Sequence, residues 1–150
     1  MVIKRVETDE EANKCDNLLT KLLAYESQFD DNIKKDYQVK DYFVNMYNRK
    51  DCALFEAVEE DIVGYAFAKI VSLESGPDIS KMVLLDGMFV EEEFRNKGIA
   101  HELIESVKTW CKENDINLIS VNVLCKNTIP YNIYKEVGFE DFYVNMKMKI

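Results

Sequence analysis

Glycine and proline are scarce, five and two in 150 residues. No Pro/Gly-rich stretch divides the chain and no period of ~20–50 residues repeats, which excludes a linker and a solenoid and leaves one domain over residues 1–150. Long apolar runs are missing as well. None approaches the ~20 residues a membrane helix needs, and Met1-Val2-Ile3-Lys4-Arg5-Val6-Glu7 lacks the apolar region of a secretory signal, so a cytoplasmic protein with no membrane partner is expected. Cys15, Cys52, Cys111 and Cys125 form no C-x-x-C, and His101 is the one histidine. Reduced, mostly buried thiols and no metal are expected. Basic residues are in deficit: 19 Lys and Arg stand against 28 Asp and Glu, for a net charge of −9, and no basic run exceeds two residues. A nucleic-acid partner is therefore not expected, and a cationic ligand suits the field better.

What is present is enough for a two-layer core, with 47% apolar residues against 31% charged ones. Val2 to Val6 is a strand candidate. Thr8-Asp9-Glu10-Glu11 has the form of a capping box, and Ala12, Cys15, Leu19, Leu22 and Leu23 follow at helical spacing, which predicts a helix to about Tyr25. A second helical stretch is expected around Val39 to Tyr47. Cys52 to Val58 and Ile62 to Val71 read as a hairpin across Glu59-Glu60-Asp61, Ser72 to Ser80 as a loop around Gly76-Pro77, and Met82 to Val90 as a further strand. Asp86-Gly87 lies inside that last strand, and a glycine there marks a bulge or a close backbone approach, a place to look for a ligand.

Ile99, Leu103, Ile104, Val107, Trp110 and Cys111 recur every three or four residues, an amphipathic helix directly after Gly98. Asn117 to Leu124 is strand-like. Pro130 to Val137 reads as a short helix opened by a proline and stopped by Gly138. From Phe142 to Ile150 apolar residues alternate with Tyr143, Asn145, Lys147 and Lys149, the pattern of a half-buried strand.

Arg95-x-x-Gly98-x-Ala100 places two cations and two small residues where a strand hands over to a helix. The free N–H groups and the positive dipole end of that helix can hold a phosphate; the competing reading is a plain strand-to-helix turn. No Gly-Lys-Ser/Thr ending and no G-x-G-x-x-G accompanies it. Downstream stands Asn127-x-x-Pro130-x-x-x-Tyr134-x-x-x-Gly138-Phe139. Together the two segments resemble the acetyl-CoA loop and the Asn-x-x-Ala-x-x-x-Tyr-x-x-x-Gly-Phe motif of the GNAT superfamily of N-acetyltransferases, with Pro130 the departure. Leu19 to Glu26 and Leu85 to Val90 look most like its spermidine/spermine branch, although Gly87 replaces the second acid of that branch.

The resemblance implies an α+β GNAT fold: a mixed, mostly antiparallel sheet with helices on both faces and two splayed strands that admit acetyl-CoA. It implies a cofactor site at Met88, Phe89, Val90, Arg95, Asn96, Lys97, Gly98, Ile99, Ala100, His101, Asn127 and Tyr134, and often a homodimer. The implied reaction is acetyl transfer to an amine by direct attack, since no Cys or Ser in these motifs has an adjacent base. A primary amine of pKa ~10 is about one part in a thousand neutral at pH 7, a cost of roughly 4 kcal/mol unless the site removes a proton. Asp86 is the candidate to receive it or to orient the ammonium, against a plain bulge-capping role. Tyr25, Glu26, Asp30 and Asp31 are candidates to hold the remaining amino groups of a polyamine-like cation, against a solvated loop. Tyr134 would protonate the departing thiolate. Aminoglycoside, amino acid and protein amines are the alternative acceptors, and an acyl-CoA sensor without turnover is the alternative class.

Overall fold

The computed structural model describes residues 1–74 and 79–150, so the expected Gly76-Pro77 turn lies outside the described residues, while the ends of the loop expected over Ser72 to Ser80 are strand instead, Ser72 pairing with Lys81 and Leu73 with Ser80. The elements in order are β1 (Val2–Arg5), α1 (Asp9–Glu26), β2 (Cys52–Val58), β3 (Ile62–Glu74), β4 (Ile79–Val90), α2 (Ile99–Glu113), β5 (Ile119–Val121) and α3 (Thr128–Glu136). The strands form one sheet in the order β1-β2-β3-β4-β5. Its first three pairings are antiparallel and β4–β5 is parallel. This is the α+β architecture that the resemblance implied.

Strand alternation sorts the core into two layers. On one face Leu54, Tyr65 and Phe67 pack with Ala12, Cys15 and Leu18 of α1 and with Phe43. On the other, Ala53, Ala66, Ala68, Val83 and Leu85 receive Leu103, Ile104, Val107 and Trp110 of α2. Small alanines on the second face let the bulky stripe of α2 approach the sheet. Cys15, Cys52 and Cys111 are buried and Cys125 is exposed, and all four are free thiols.

The start of α1 follows its sequence signature. The Thr8 hydroxyl accepts from Glu11 N–H, and the Glu11 carboxylate accepts from Thr8 N–H, both at 3.2 Å. Lys4 ion-pairs with the same carboxylate and, at 3.0 Å, with buried Glu56. The Lys4 hydrogen bond is the main reason the Glu11 carboxyl is held down at about 2.

Three expectations fail for reasons of partnership. Val39 to Tyr47 holds only a 3₁₀ turn, Phe43–Asn45. Buried Asp16 of α1 accepts the N–H groups of Tyr42 and Phe43 at 3.2 and 3.0 Å, Thr20 accepts that of Val39, and Asp41 turns the chain at φ 56°. These side-chain acceptors replace the carbonyls a helix would have supplied. The strand expected over Asn117 to Leu124 shrinks to the three residues that β4 pairs. Phe142 to Ile150 pairs with no strand and is exposed throughout, so its alternation has no buried face. α3 begins two residues before Pro130, which puts the proline in the first turn, where no N–H is needed. Among the described residues no helix is long and apolar enough to cross a membrane.

Replacing Thr8 by alanine removes one half of the capping box, at a cost of about 1 kcal/mol. The expected fall in Tm is ~2–4 °C, read by circular dichroism. An unchanged Tm would show that the box contributes nothing to the fold.

Candidate active site

The site grows from one irregularity in β4. Phe67 faces Gly87 and Ala68 faces Leu85, so Asp86 is an extra residue with no partner on β3. Such a bulge bends its strand and redirects side chains. On its other edge β4 pairs with β5 only from Val83 to Leu85. Beyond the bulge the two parallel strands part, and the β4 backbone from Gly87 to Val90 faces a gap.

Which groups face that gap follows from the ladder. Glu91 N–H donates to Val63 at 2.8 Å. By antiparallel alternation the N–H of Phe89 then points at β3, while those of Met88 and Val90 point into the gap. The Val90 carbonyl on that side accepts from Arg95 Nε at 2.9 Å. Backbone donors for the acyl carrier are expected from Phe89 and Val90; the alternation keeps Val90 in that place, turns Phe89 toward β3 and puts Met88 there instead.

Glu92–Phe94 forms one 3₁₀ turn, Asn96 stands at φ 60° and Gly98 at φ 82°, and α2 begins. No side chain caps this helix start, so the N–H groups of Ile99, Ala100 and His101 have no intrahelical partner. Nothing lies within 4 Å of where a Gly98 Cβ would stand. The open cradle, the free donors and the dipole fit a phosphate group. Lys97 is exposed at its rim, 4.9 Å over the Phe94 ring. Arg95 has a second engagement: its guanidinium lies 5.4 Å from the Phe89 ring and 5.9 Å from that of Tyr25, which ties the end of α1 to the end of β4. His101 faces Glu136 of α3 at 3.5 Å.

Asp86 borders a cavity of about 500 Å³ whose wall includes Tyr37, Tyr42, Phe43, Tyr65, Asp41 and Gly87. Its carboxylate lies 3.3 Å from Lys69 Nζ, with both side chains about one-third exposed. Tyr134 is buried in α3, edge-on to Phe139 with ring centroids 5.5 Å apart. Burial, and then the charge of Glu26, push its phenol up to about 12. A hydroxyl so shifted stays protonated at neutral pH and is available as an acid. Glu26, half-buried at the end of α1, is itself raised by burial and by Asp30. Asn127 is buried just before α3, with its side-chain oxygen unpartnered.

The acidic set expected around the substrate is not one cluster. Asp31 is exposed, pairs with Lys149 at 2.9 Å and lines a different depression with Ser27, Gln28 and Lys35. Asp30 is engaged by the backbone and side chain of Asn32, which lower its carboxyl. Glu26 is half-buried at the end of α1, and Tyr25 lies under the Arg95 guanidinium. Sequence reasoning missed Lys69 and Tyr65. Lys69 gives no local signal, because it is β3's register that brings it to Asp86. Tyr65 gives none either, because it is the packing of its ring beneath Gly87 on the neighbouring strand that matters.

A bulged sheet whose last parallel pairing stops after three residues, followed by an uncapped helix start, defines this α+β architecture. The chain belongs to the acetyltransferase (GNAT) family, whose model matches residues 18–139. It is 32% identical over 91 residues to an aminoglycoside N(6')-acetyltransferase type 1 of Salmonella typhimurium, across 59% of this chain and 63% of that protein. A streptothricin acetyltransferase of Escherichia coli is 26% identical over 101 residues, 67% of this chain and 54% of that protein. The chain thus spans less than two thirds of the length of these relatives. Among solved structures, the BH1408 protein of Bacillus halodurans superposes with a TM-score of 0.88 at 17% identity over the whole of both chains. The aminoglycoside N-acetyltransferase AAC(6')-Iy in complex with CoA does so at 0.77 and 22%, over 99% of each. These two likenesses bear on the fold.

Gly87 is required by what lies beneath it. A Cβ there would stand 2.9 Å from the Tyr65 hydroxyl, which is buried and has no hydrogen-bond partner among the described residues. Gly87→Ala is expected to cost ~1–3 kcal/mol by overpacking. Tyr65→Phe removes an unpartnered hydroxyl and is expected to be neutral or stabilising. In the Tyr65→Phe background the cost of Gly87→Ala should fall by ~1 kcal/mol or more, measured by urea denaturation of the four proteins. Simple additivity would place the glycine requirement elsewhere.

Proposed function

We propose that this protein transfers the acetyl group of acetyl-CoA to a primary amine of a small polycationic substrate by direct attack. The observation that carries the reading is the bulge at Asp86. It opens the gap beside β4 on one side and lines an aromatic, acidic cavity on the other, so that an acyl carrier and an amine would meet at one strand.

The residues that fit the cofactor are the N–H groups of Ile99, Ala100 and His101 with Lys97 for its phosphates, and those of Met88 and Val90 for its amide chain and acyl oxygen. Bound there, acetyl-CoA supplies an activated thioester. The chain's own groups do the rest. The Met88 and Val90 donors stabilise negative charge developing on the acyl oxygen. Asp86 takes a proton from the ammonium, directly or through water, or holds and orients it, with Lys69 beside it limiting the cost of its charge. Tyr134 donates its proton to the departing sulfur. Asp41 and Asp86 on the cavity wall supply charge to a cation beside Tyr37 and Tyr42.

For the acceptor, the named relatives support an aminoglycoside-like amine, a bulky polycation suited to a wide cavity. The −9 charge supports a polyamine-like one as the second reading. Against it stands the dispersal of Asp30 and Asp31 away from Asp86.

Acetyl-CoA at 100 times its dissociation constant should add about 2.7 kcal/mol to stability. Ala100→Glu, which sets a carboxylate in the phosphate cradle at an ordinary helical position, should abolish the corresponding rise in Tm; an undiminished rise would remove the cradle assignment.

Thiol release with a 6'-amino aminoglycoside, spermidine, a diamine and a monoamine decides the acceptor. The aminoglycoside is expected to have the highest kcat/KM, and Tyr134→Phe to lower kcat ~100-fold with the acetyl-CoA KM little changed. Equal rates in Tyr134→Phe would sink the acid role. Preference for spermidine would favour the polyamine reading, and no turnover with any amine would favour the sensor.

A further inference from the structure

On the α1 face of the sheet, β3 presents Tyr65, Phe67 and Lys69 in one row. The two rings are fully buried, and the row ends in a cation. Lys69 is one-third exposed and sets its ammonium 3.3 Å from the carboxylate of Asp86 on the cavity wall. The group that is to hold an acceptor amine thus already has a primary ammonium beside it.

A bare carboxylate in this place would hold the acceptor in the wrong state. An opposite charge at close range favours the charged form of an amine, and an ammonium has no lone pair with which to attack. Beside Lys69 the incoming amine meets an ion pair instead. It keeps the carboxylate oxygens as hydrogen-bond acceptors, while repulsion from Lys69 offsets the attraction that would keep its proton in place. No other neighbour does this. Lys40 and Asp41 adjoin on the wall and bring one charge of each sign. Burial raises the phenols of Tyr42 and Tyr65 and the thiol of Cys52, which faces Lys69 across the β2–β3 ladder, so all three are neutral at neutral pH. Asp51, next to Cys52, is paired with Arg49 at 2.8 Å.

We propose that Lys69 is a positioning residue for the acceptor: its ion pair with Asp86 lets that carboxylate bind and orient the amine without keeping it as the unreactive ammonium. The role rests on the reading of the Asp86 cavity as the acceptor site, and it makes Asp86 a holding group rather than the base. The proton passes from the ammonium to water and the electron pair stays on nitrogen. That pair then forms the C–N bond as the C–S bond of the thioester breaks.

Profiles of kcat and kcat/KM against pH, measured by thiol release with a 6'-amino aminoglycoside and with spermidine, test this in the wild type, Lys69→Met and Lys69→Arg. The first profile reports groups in the enzyme–substrate complex, the second those of the free enzyme and free amine. In Lys69→Met the rise of kcat with pH should move up by about one pH unit while that of kcat/KM stays in place. At pH 7 kcat and the acceptor KM should fall together, each ~10-fold, the sign of a ground state bound too well. Lys69→Arg keeps the charge and should return the kcat profile to its wild-type position. The rise in Tm with acetyl-CoA, unchanged in both variants, would show that the fold and the carrier site survive. A kcat profile that does not move in Lys69→Met, or a fall in kcat with KM unchanged or raised, would overturn the proposal and leave acetyl transfer standing. No turnover by the wild type with any amine would remove both.

Discussion

The site depends on a conflict over one strand. β4 pairs antiparallel with β3 along its length and parallel with β5 over three residues, and the extra residue Asp86 stands where these two demands cease to be compatible. Backbone donors and acceptors cannot be left without partners at low cost. Past the bulge, the groups of Met88 and Val90 that no longer have β5 become available, and one of them, the Val90 carbonyl, is taken by Arg95. The donors fall to whatever enters the gap. A single insertion thus ends the pairing of β4 with β5 and sets Asp86 on the wall of the cavity on the α1 face.

The cavity wall rests on a second constraint, the buried carboxylate of Asp16. Its two oxygens take the N–H groups of Tyr42 and Phe43, and burial raises its pKa despite those bonds. The segment after α1 therefore follows a path dictated by a side chain, and its aromatic rings are set against Tyr65 and Phe67. Phe43 is edge-on to both, with centroids 5.3 and 5.1 Å away. Arg95 performs a related service on the other side, joining Tyr25 to Phe89. The cavity wall and the end of β4 are thus both held by α1, which has no part in the sheet.

Much of this was legible because it is local. The α2 stripe, the Gly98 turn and the capping box at Thr8 are set by residues within a few positions of one another, and they stand where the sequence puts them. Asp86-Gly87 was readable as an irregularity, because a glycine within a strand has few other uses. The substrate set was not readable. Glu26, Asp30, Asp31 and Asp86 share a sign, but Asn32 and Lys149 engage Asp30 and Asp31, Glu26 is half-buried at the end of α1, and Asp86 alone sits at the bulge of β4.

By itself, the sequence determined α1, α2, α3 and the uncapped turn at Gly98 before α2, since each rests on short-range hydrogen bonds and on a periodicity that a single segment contains. Only tertiary structure decided which amides of β4 are free, that Lys69 neighbours Asp86, and that Tyr65 fills the space beneath Gly87. It also decided that Phe142 to Ile150, with the clearest alternation in the chain, pairs with no strand among the described residues. A helix satisfies its backbone internally, whereas alternation names the faces of a strand and says nothing of the edge that must receive it.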